Sequence, residues 1–110
     1  MSGENMTLKL IAEDFIQPEH IEMVLPLYQE LVEKTRTEAG CIAYDLYHDH
    51  KLQGHFVFIE EWIDRAALDL HVQSEHFQRL VPQIDHYQLQ AGRFTHLHRF
   101  EALLPNKKDR

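Results

Sequence analysis

Residues 41–63 read CIAYDLYHDHKLQGHFVFIEEWI, and their patterning decides the fold. In residues 41–50, Ile42, Tyr44, Leu46, His48 and His50 fall at every second position. In residues 55–63, Phe56, Phe58, Glu60 and Trp62 take one phase, and Val57, Ile59 and Glu61 take the other. A period of two is the period of a strand, because successive side chains leave opposite faces of the pleat. The two runs are separated by Lys51, Leu52, Gln53 and Gly54, a short connection that ends in glycine. Two strands so joined are expected to form a hairpin.

Upstream, residues 6–15 alternate again, with Leu8, Leu10 and Ala12 against Lys9, Ile11 and Glu13. Both phases carry apolar residues, so both faces of this strand are expected to be covered. Gln17-Pro18-Glu19 breaks it, and Pro18 suits the first turn of a helix. Residues 19–38 then place Ile21, Val24, Leu25, Tyr28, Leu31 and Val32 at three- and four-residue steps, one apolar stripe of a helix. Pro26 marks a kink or a restart within it, and Gly40 a stop.

Downstream of the hairpin, Asp64 is placed to cap a helix over about 65–72. Ser74 is placed to cap a second, with Phe77, Leu80, Val81 and Ile84 on its apolar side. A last strand is expected over 93–102, where Phe94, His96, His98 and Phe100 alternate with Thr95, Leu97 and Arg99. The order β-α-β-β-α-β is the split βαβ, so the fold class expected is ferredoxin-like α+β. The domain spans residues 6–102, with residues 1–5 and 103–110 as flexible tails. Helices on one face of such a sheet leave the other open. Since that face also carries apolar residues, two copies packed sheet to sheet as a dimeric α+β barrel are expected.

Composition narrows the function. The 110 residues carry 18 Asp and Glu against 11 Lys and Arg, a net charge of −7 with His neutral. That balance disfavours a nucleic-acid partner or an anionic membrane surface. No apolar run approaches the ~18 residues of a membrane span, and no signal-peptide pattern opens the chain, so a cytoplasmic protein is expected. The one cysteine, Cys41, has no base beside it in sequence and reads as a small buried hydrophobe.

The densest chemistry runs from Glu60 to Phe77. The runs Gly40-Cys41-Ile42-Ala43-Tyr44-Asp45-Leu46, Phe56-Val57-Phe58-Ile59-Glu60-Glu61-Trp62, Ala67-Leu68-Asp69-Leu70-His71 and Ser74-Glu75-His76-Phe77 resemble the antibiotic biosynthesis monooxygenase superfamily. The likeness is greatest to its small quinol-monooxygenase-like members. The resemblance implies a homodimer of ferredoxin-like subunits. Some members oxygenate hydroquinones or phenols without metal or flavin, some degrade haem, and others act on a phosphorylated autoinducer-2 signal. Haem-degrading relatives carry an Asn on the first strand; here that segment is Leu10-Ile11-Ala12-Glu13-Asp14, without one.

The residues themselves point the same way. A phenol reacts slowly with dioxygen until it loses a proton, so an apolar slot, a base of near-neutral pKa and donors for the developing anion suffice. His71 is the candidate base, on the helix side shared with Ala67 and Leu68. Trp62 is expected to frame the pocket, and Glu60 to orient His71 or bind the substrate hydroxyl. Tyr44, His76, Phe58, Phe77 and His96 make up the candidate substrate-contacting set, for a small aromatic or carbonyl substrate. The pairs His48/His50 and His96/His98 have i, i+2 spacing, but no HExxH or Cys/His cluster appears, so neither a metal site nor another cofactor is expected. An alternative is an isomerase or lyase that uses the same base to enolise a small carbonyl compound. A second alternative is a non-catalytic binding dimer. A scarcity of Arg and Lys, with only Arg65 and Arg79 near the matched runs, argues against a phosphorylated substrate.

Overall fold

The computed structural model describes residues 7–96. Four strands, β1 (Leu8–Phe15), β2 (Cys41–His48), β3 (His55–Trp62) and β4 (Arg93–His96), form one antiparallel sheet in the order β2-β3-β1-β4. A single 3-10 turn (Pro18–His20) leads into α1 (Ile21–Thr35); α2 (Arg65–Gln73) and α3 (Glu75–Asp85) follow the hairpin. This is the ferredoxin-like arrangement. The expected last strand is described as far as His96, and residues 97–102 lie outside the described residues.

Strand register explains the layering. β1 and β3 pair as Leu8 with Trp62, Leu10 with Glu60, Ala12 with Phe58 and Asp14 with Phe56. These eight residues therefore share the face that the helices cover, and seven of them are buried; Asp14 is half-buried. From the helices, Val24, Tyr28, Leu31, Leu80 and Ile84 close the core. The Tyr28 ring packs 5.1 Å from Phe56, and its hydroxyl donates to Asp14 Oδ2 at 2.7 Å. A hydroxyl buried on one end of a core aromatic needs such an acceptor.

Several local expectations change. α1 runs through Pro26 and ends at Thr35 rather than 38. Leu25 is exposed and Thr35 takes a core position, because the buried stripe follows Val24, Tyr28, Leu31 and Thr35 at three- and four-residue steps. β2 carries a bulge between Cys41 and Ala43, which turns Ile42 out to solvent instead of inward beside Tyr44. β2 also ends at His48, and His50 lies in the following bend. The two His are thus not neighbours on one strand face.

The caps match the sequence. Asp64 accepts from the Ala67 N–H at 2.8 Å at the start of α2, and Ser74 Oγ accepts from the Phe77 N–H at 3.3 Å at the start of α3. The outer sheet face leaves Ile59 and Tyr47 exposed, with Ile11 and Val57 half-buried beside them. Among the described residues, no helix is long and apolar enough to cross a membrane.

Candidate functional site

A cavity of about 830 Å³ opens between the sheet and the helices. Leu10, Tyr44, Phe58 and Glu60 reach it from the sheet, His71 from α2 and Phe77 from α3. It is therefore a largely apolar slot whose wall also carries Glu60, His71, Asp14, Asp85 and Arg65, apolar surface with a few polar groups being the composition expected of a small-molecule site.

Local structure fixes His71. It sits in the last turn of α2, where its carbonyl accepts from both the backbone N–H (3.1 Å) and the hydroxyl (2.6 Å) of Ser74. Ser74 thus closes α2 and opens α3 at one corner. Gly40 lies against α2 so closely that a methyl group there would overlap the Ala67 side chain. The His71 ring is held between Trp62 (4.6 Å between centroids), Phe77 (5.0 Å) and Tyr44 (5.4 Å).

Its Nδ1 lies 2.8 Å from Glu38 Oε2. An ionised carboxylate only accepts, so Nδ1 carries the hydrogen and Nε2 keeps its lone pair. Burial lowers the His71 pKa, and the Glu38 hydrogen bond opposes that shift without overcoming it. The result is a neutral imidazole of defined tautomer on the wall of an apolar slot, which is what a general base requires.

Glu38 was not among the residues singled out from sequence. The helix was expected to run to it. The chain instead leaves α1 at Thr35, and the turn before Gly40 delivers Glu38 to the corner between α2 and α3. The same oxygen, Oε2, lies 2.6 Å from His76 Nε2. His76 is therefore held by Glu38 and does not line the cavity.

Two further expectations are corrected. Trp62 does not frame the cavity: it is fully buried behind it, and its indole N–H donates to Glu60 Oε1 at 3.0 Å. Glu60 in turn does not orient His71, because Glu38 occupies that role and the period-two register sets Glu60 beside Trp62. Glu60 is 5% exposed, and burial pushes its carboxyl up to about 7 from an ordinary 4.5. Glu38 and Asp14 push in the same direction, while the Trp62 hydrogen bond pulls back.

Tyr44 and Phe58 are buried on the cavity floor, and burial holds the Tyr44 phenol well above its usual range. His96 pairs with Leu10 through the backbone of β4; its side chain lies outside the described residues. Cys41 is half-buried, and burial raises its thiol to about 11, so it is no nucleophile. Of the two arginines, Arg79 is taken up by Glu30 and Glu75, and Arg65 is the only Arg or Lys on the cavity among the described residues.

The class so defined is a ferredoxin-like α+β domain with a carboxylate-oriented histidine on an apolar cavity. The chain belongs to the antibiotic biosynthesis monooxygenase family, whose model matches residues 7–83. It is 59% identical to a solved structure described as "Crystal structure of antibiotic biosynthesis monooxygenase". That match covers 89% of this chain and 99% of the other, at a TM-score of 0.81. PA3566 from Pseudomonas aeruginosa is 35% identical, covers 91% and 100% of the two chains, and superimposes at a TM-score of 0.79. Among curated proteins, "Putative monooxygenase YcnE" of Bacillus subtilis (strain 168) is 38% identical over 66 residues, 60% of this chain and 70% of that one. An uncharacterized Synechocystis protein, sll1783, is 39% identical over 66 residues, and the match spans 45% of its length.

Proposed function

We propose that this protein is a cofactor-independent monooxygenase that oxidises a small hydroquinone or phenol with dioxygen, working as a homodimer. The observation that carries the reading is His71: Nδ1 is pinned by Glu38, the ring lies on the wall of the cavity, and burial keeps it neutral. A phenol in the slot gives its proton to His71 Nε2. The phenolate is then a strong electron donor. One electron passes to dioxygen, the two radicals combine at a ring carbon, and a peroxide forms. Loss of water from the peroxide leaves one oxygen atom on the substrate, and both reducing equivalents come from the substrate itself. Glu38 stabilises the imidazolium that forms, a charge-assisted hydrogen bond of ~1.5–3 kcal/mol. Tyr44, still protonated, is available to donate to the developing anion. Phe58 and Phe77 supply apolar walls for an aromatic ring.

The dimer reading rests on the apolar outer face of the sheet, with Ile59 and Tyr47 exposed on it. Light scattering should give twice the 13.1-kDa chain mass.

The test is dioxygen uptake with a panel of reduced quinones and polyphenols, in chelator-treated protein, beside His71→Ala. Uptake that falls at least about a hundredfold in the variant supports the base assignment, the usual worth of general-base catalysis being ~10²–10⁴. Unchanged kcat/KM in His71→Ala overturns it.

One observation favours a second reading. Glu60, with a carboxyl near 7, stands on the same cavity as His71, and a pair of proton-transfer groups is what enolisation of a carbonyl compound needs. Isomerisation proceeds under anaerobic conditions and oxygenation does not, so one experiment separates them. The lone Arg65 makes a phosphorylated substrate a poor match for either reading.

A further inference from the structure

His71 and His76 share more than a neighbourhood. Their nearer ring nitrogens, Nδ1 and Nε2, both turn to the same oxygen of Glu38, at 2.8 and 2.6 Å, and the three ligand-type atoms lie within 4.8 Å of one another. The three residues come from three different segments: the turn after α1, the end of α2 and the start of α3. His71 is 2% exposed and wedged among three aromatic rings, so its nitrogen is presented rigidly.

We propose that Glu38, His71 and His76 form a site for a divalent transition-metal ion, and that filling it silences the His71 base. The consequence for activity rests on the reading of His71 as base; the binding itself does not.

Two imidazoles and one carboxylate suit Zn²⁺, Co²⁺, Ni²⁺ or Fe²⁺ and not the all-oxygen preferences of Mg²⁺ or Ca²⁺. Metal–ligand bonds of ~2.0–2.2 Å at tetrahedral or octahedral angles need donor atoms about 3 Å apart or slightly more. The two contacts to Glu38 Oε2, at 2.8 and 2.6 Å, therefore lengthen by several tenths of an ångström, and Glu38, on a partly exposed turn, is the member free to give.

Proton balance fixes the effect on chemistry. The metal needs the lone pair of His71 Nδ1, so the hydrogen now on Nδ1 moves to Nε2, and the ring stays neutral. The cavity then meets an N–H donor in place of a lone pair. His76 makes the corresponding shift to its Nδ1. No proton leaves either ring. The filled site is thus an off state of the base.

The experiment is a titration of tag-free, chelator-treated protein with Co²⁺, read by its visible ligand-field absorption and competed with Zn²⁺. The exposed His48 and His50 are tested by replacing both with Gln. The expected result is one saturable equivalent whose spectrum survives the His48→Gln/His50→Gln change. Its affinity should fall at least about tenfold in His76→Ala and in Glu38→Gln, since even outer-shell partners are worth that much. No saturable spectrum overturns the proposal, and so does affinity unchanged in both variants. In an assay with a turned-over phenol, Zn²⁺ should abolish wild-type uptake, and a chelator should restore it. Undiminished uptake at saturating Zn²⁺ overturns the silencing. If no phenol is turned over at all, the oxygenase reading fails while the Co²⁺ titration still decides the metal site.

Discussion

Glu60→Gln gives the most direct measure of how the cavity treats charge. In the unfolded chain the Glu60 carboxyl titrates at an ordinary 4.5; in the fold, burial raises it to about 7. At ~1.36 kcal/mol per unit, the folded state disfavours the ionised form by about 3 kcal/mol. The sign follows from proton counting. Below pH 4.5 both states hold the proton, and no penalty exists. Between 4.5 and 7 the unfolded chain releases its proton and the folded one does not, so stability falls as pH rises. Above 7 both are ionised, and the loss is complete. Gln is neutral at every pH and its amide oxygen still accepts from the Trp62 N–H. The variant therefore lacks this slope.

The assay is urea unfolding of both proteins at pH 5 and pH 8, at one fixed protein concentration so that any self-association contributes equally. Folding also shifts His71 down and His55 up, but both are common to the two proteins and cancel in the comparison. The wild type should lose about 2–3 kcal/mol more than the variant between the two pH values. With a slope of ~1–3 kcal/mol per molar urea, that is a difference of roughly 1–2 M in midpoint. Parallel pH dependences in the two proteins would refute the claim that Glu60 is desolvated in the folded cavity.

Three further expectations are open to measurement. With His71 as base, kcat/KM should rise with pH through a limb below 6.5, because burial lowers its pKa; a limb at about 7 that vanishes in Glu60→Gln would transfer the role to Glu60. Ile59→Lys, on the exposed face of β3, should leave the circular dichroism unchanged and shift light scattering towards the 13.1-kDa monomer; an unmoved mass would remove the sheet face as the interface. Gly54→Ala should lower Tm by several degrees, since Gly54 has φ +89° and a Cβ would collide with the Ile16 carbonyl, a strain of ~1–3 kcal/mol; an unchanged Tm would show that the turn relaxes freely.

What could be read from the sequence was whatever repeats at short range. The alternation in residues 55–62, most of the stripe in α1 and the caps Asp64 and Ser74 are each set by neighbours a few residues apart, and the structure forms them, although Leu25 leaves the stripe. The same short-range rules put Phe58 and Glu60 on one strand face and His71 on the inner side of α2, and the structure brings these three, with Tyr44 of β2, to one cavity. Trp62 shares that strand face, yet it sits behind the cavity rather than on it, because period-two reasoning gives a face and not a depth. Ile42 went to the wrong side because one extra residue in a bulge shifts the phase, and no pattern within β2 announces it.

Glu38 marks the limit. It is 33 residues from His71 and 38 from His76, in a turn with no period. Its partnership with them exists only because α1 stops at Thr35, Gly40 lets β2 pass close to α2, and Ser74 folds α3 back on α2. The sequence by itself determined the elements, their order and the residue types available for proton transfer. The tertiary structure alone decided which carboxylate orients the histidine and which ring nitrogen that carboxylate holds. Hydrogen bonds between distant segments depend on how helices and sheet pack, not on the spacing within any one of them.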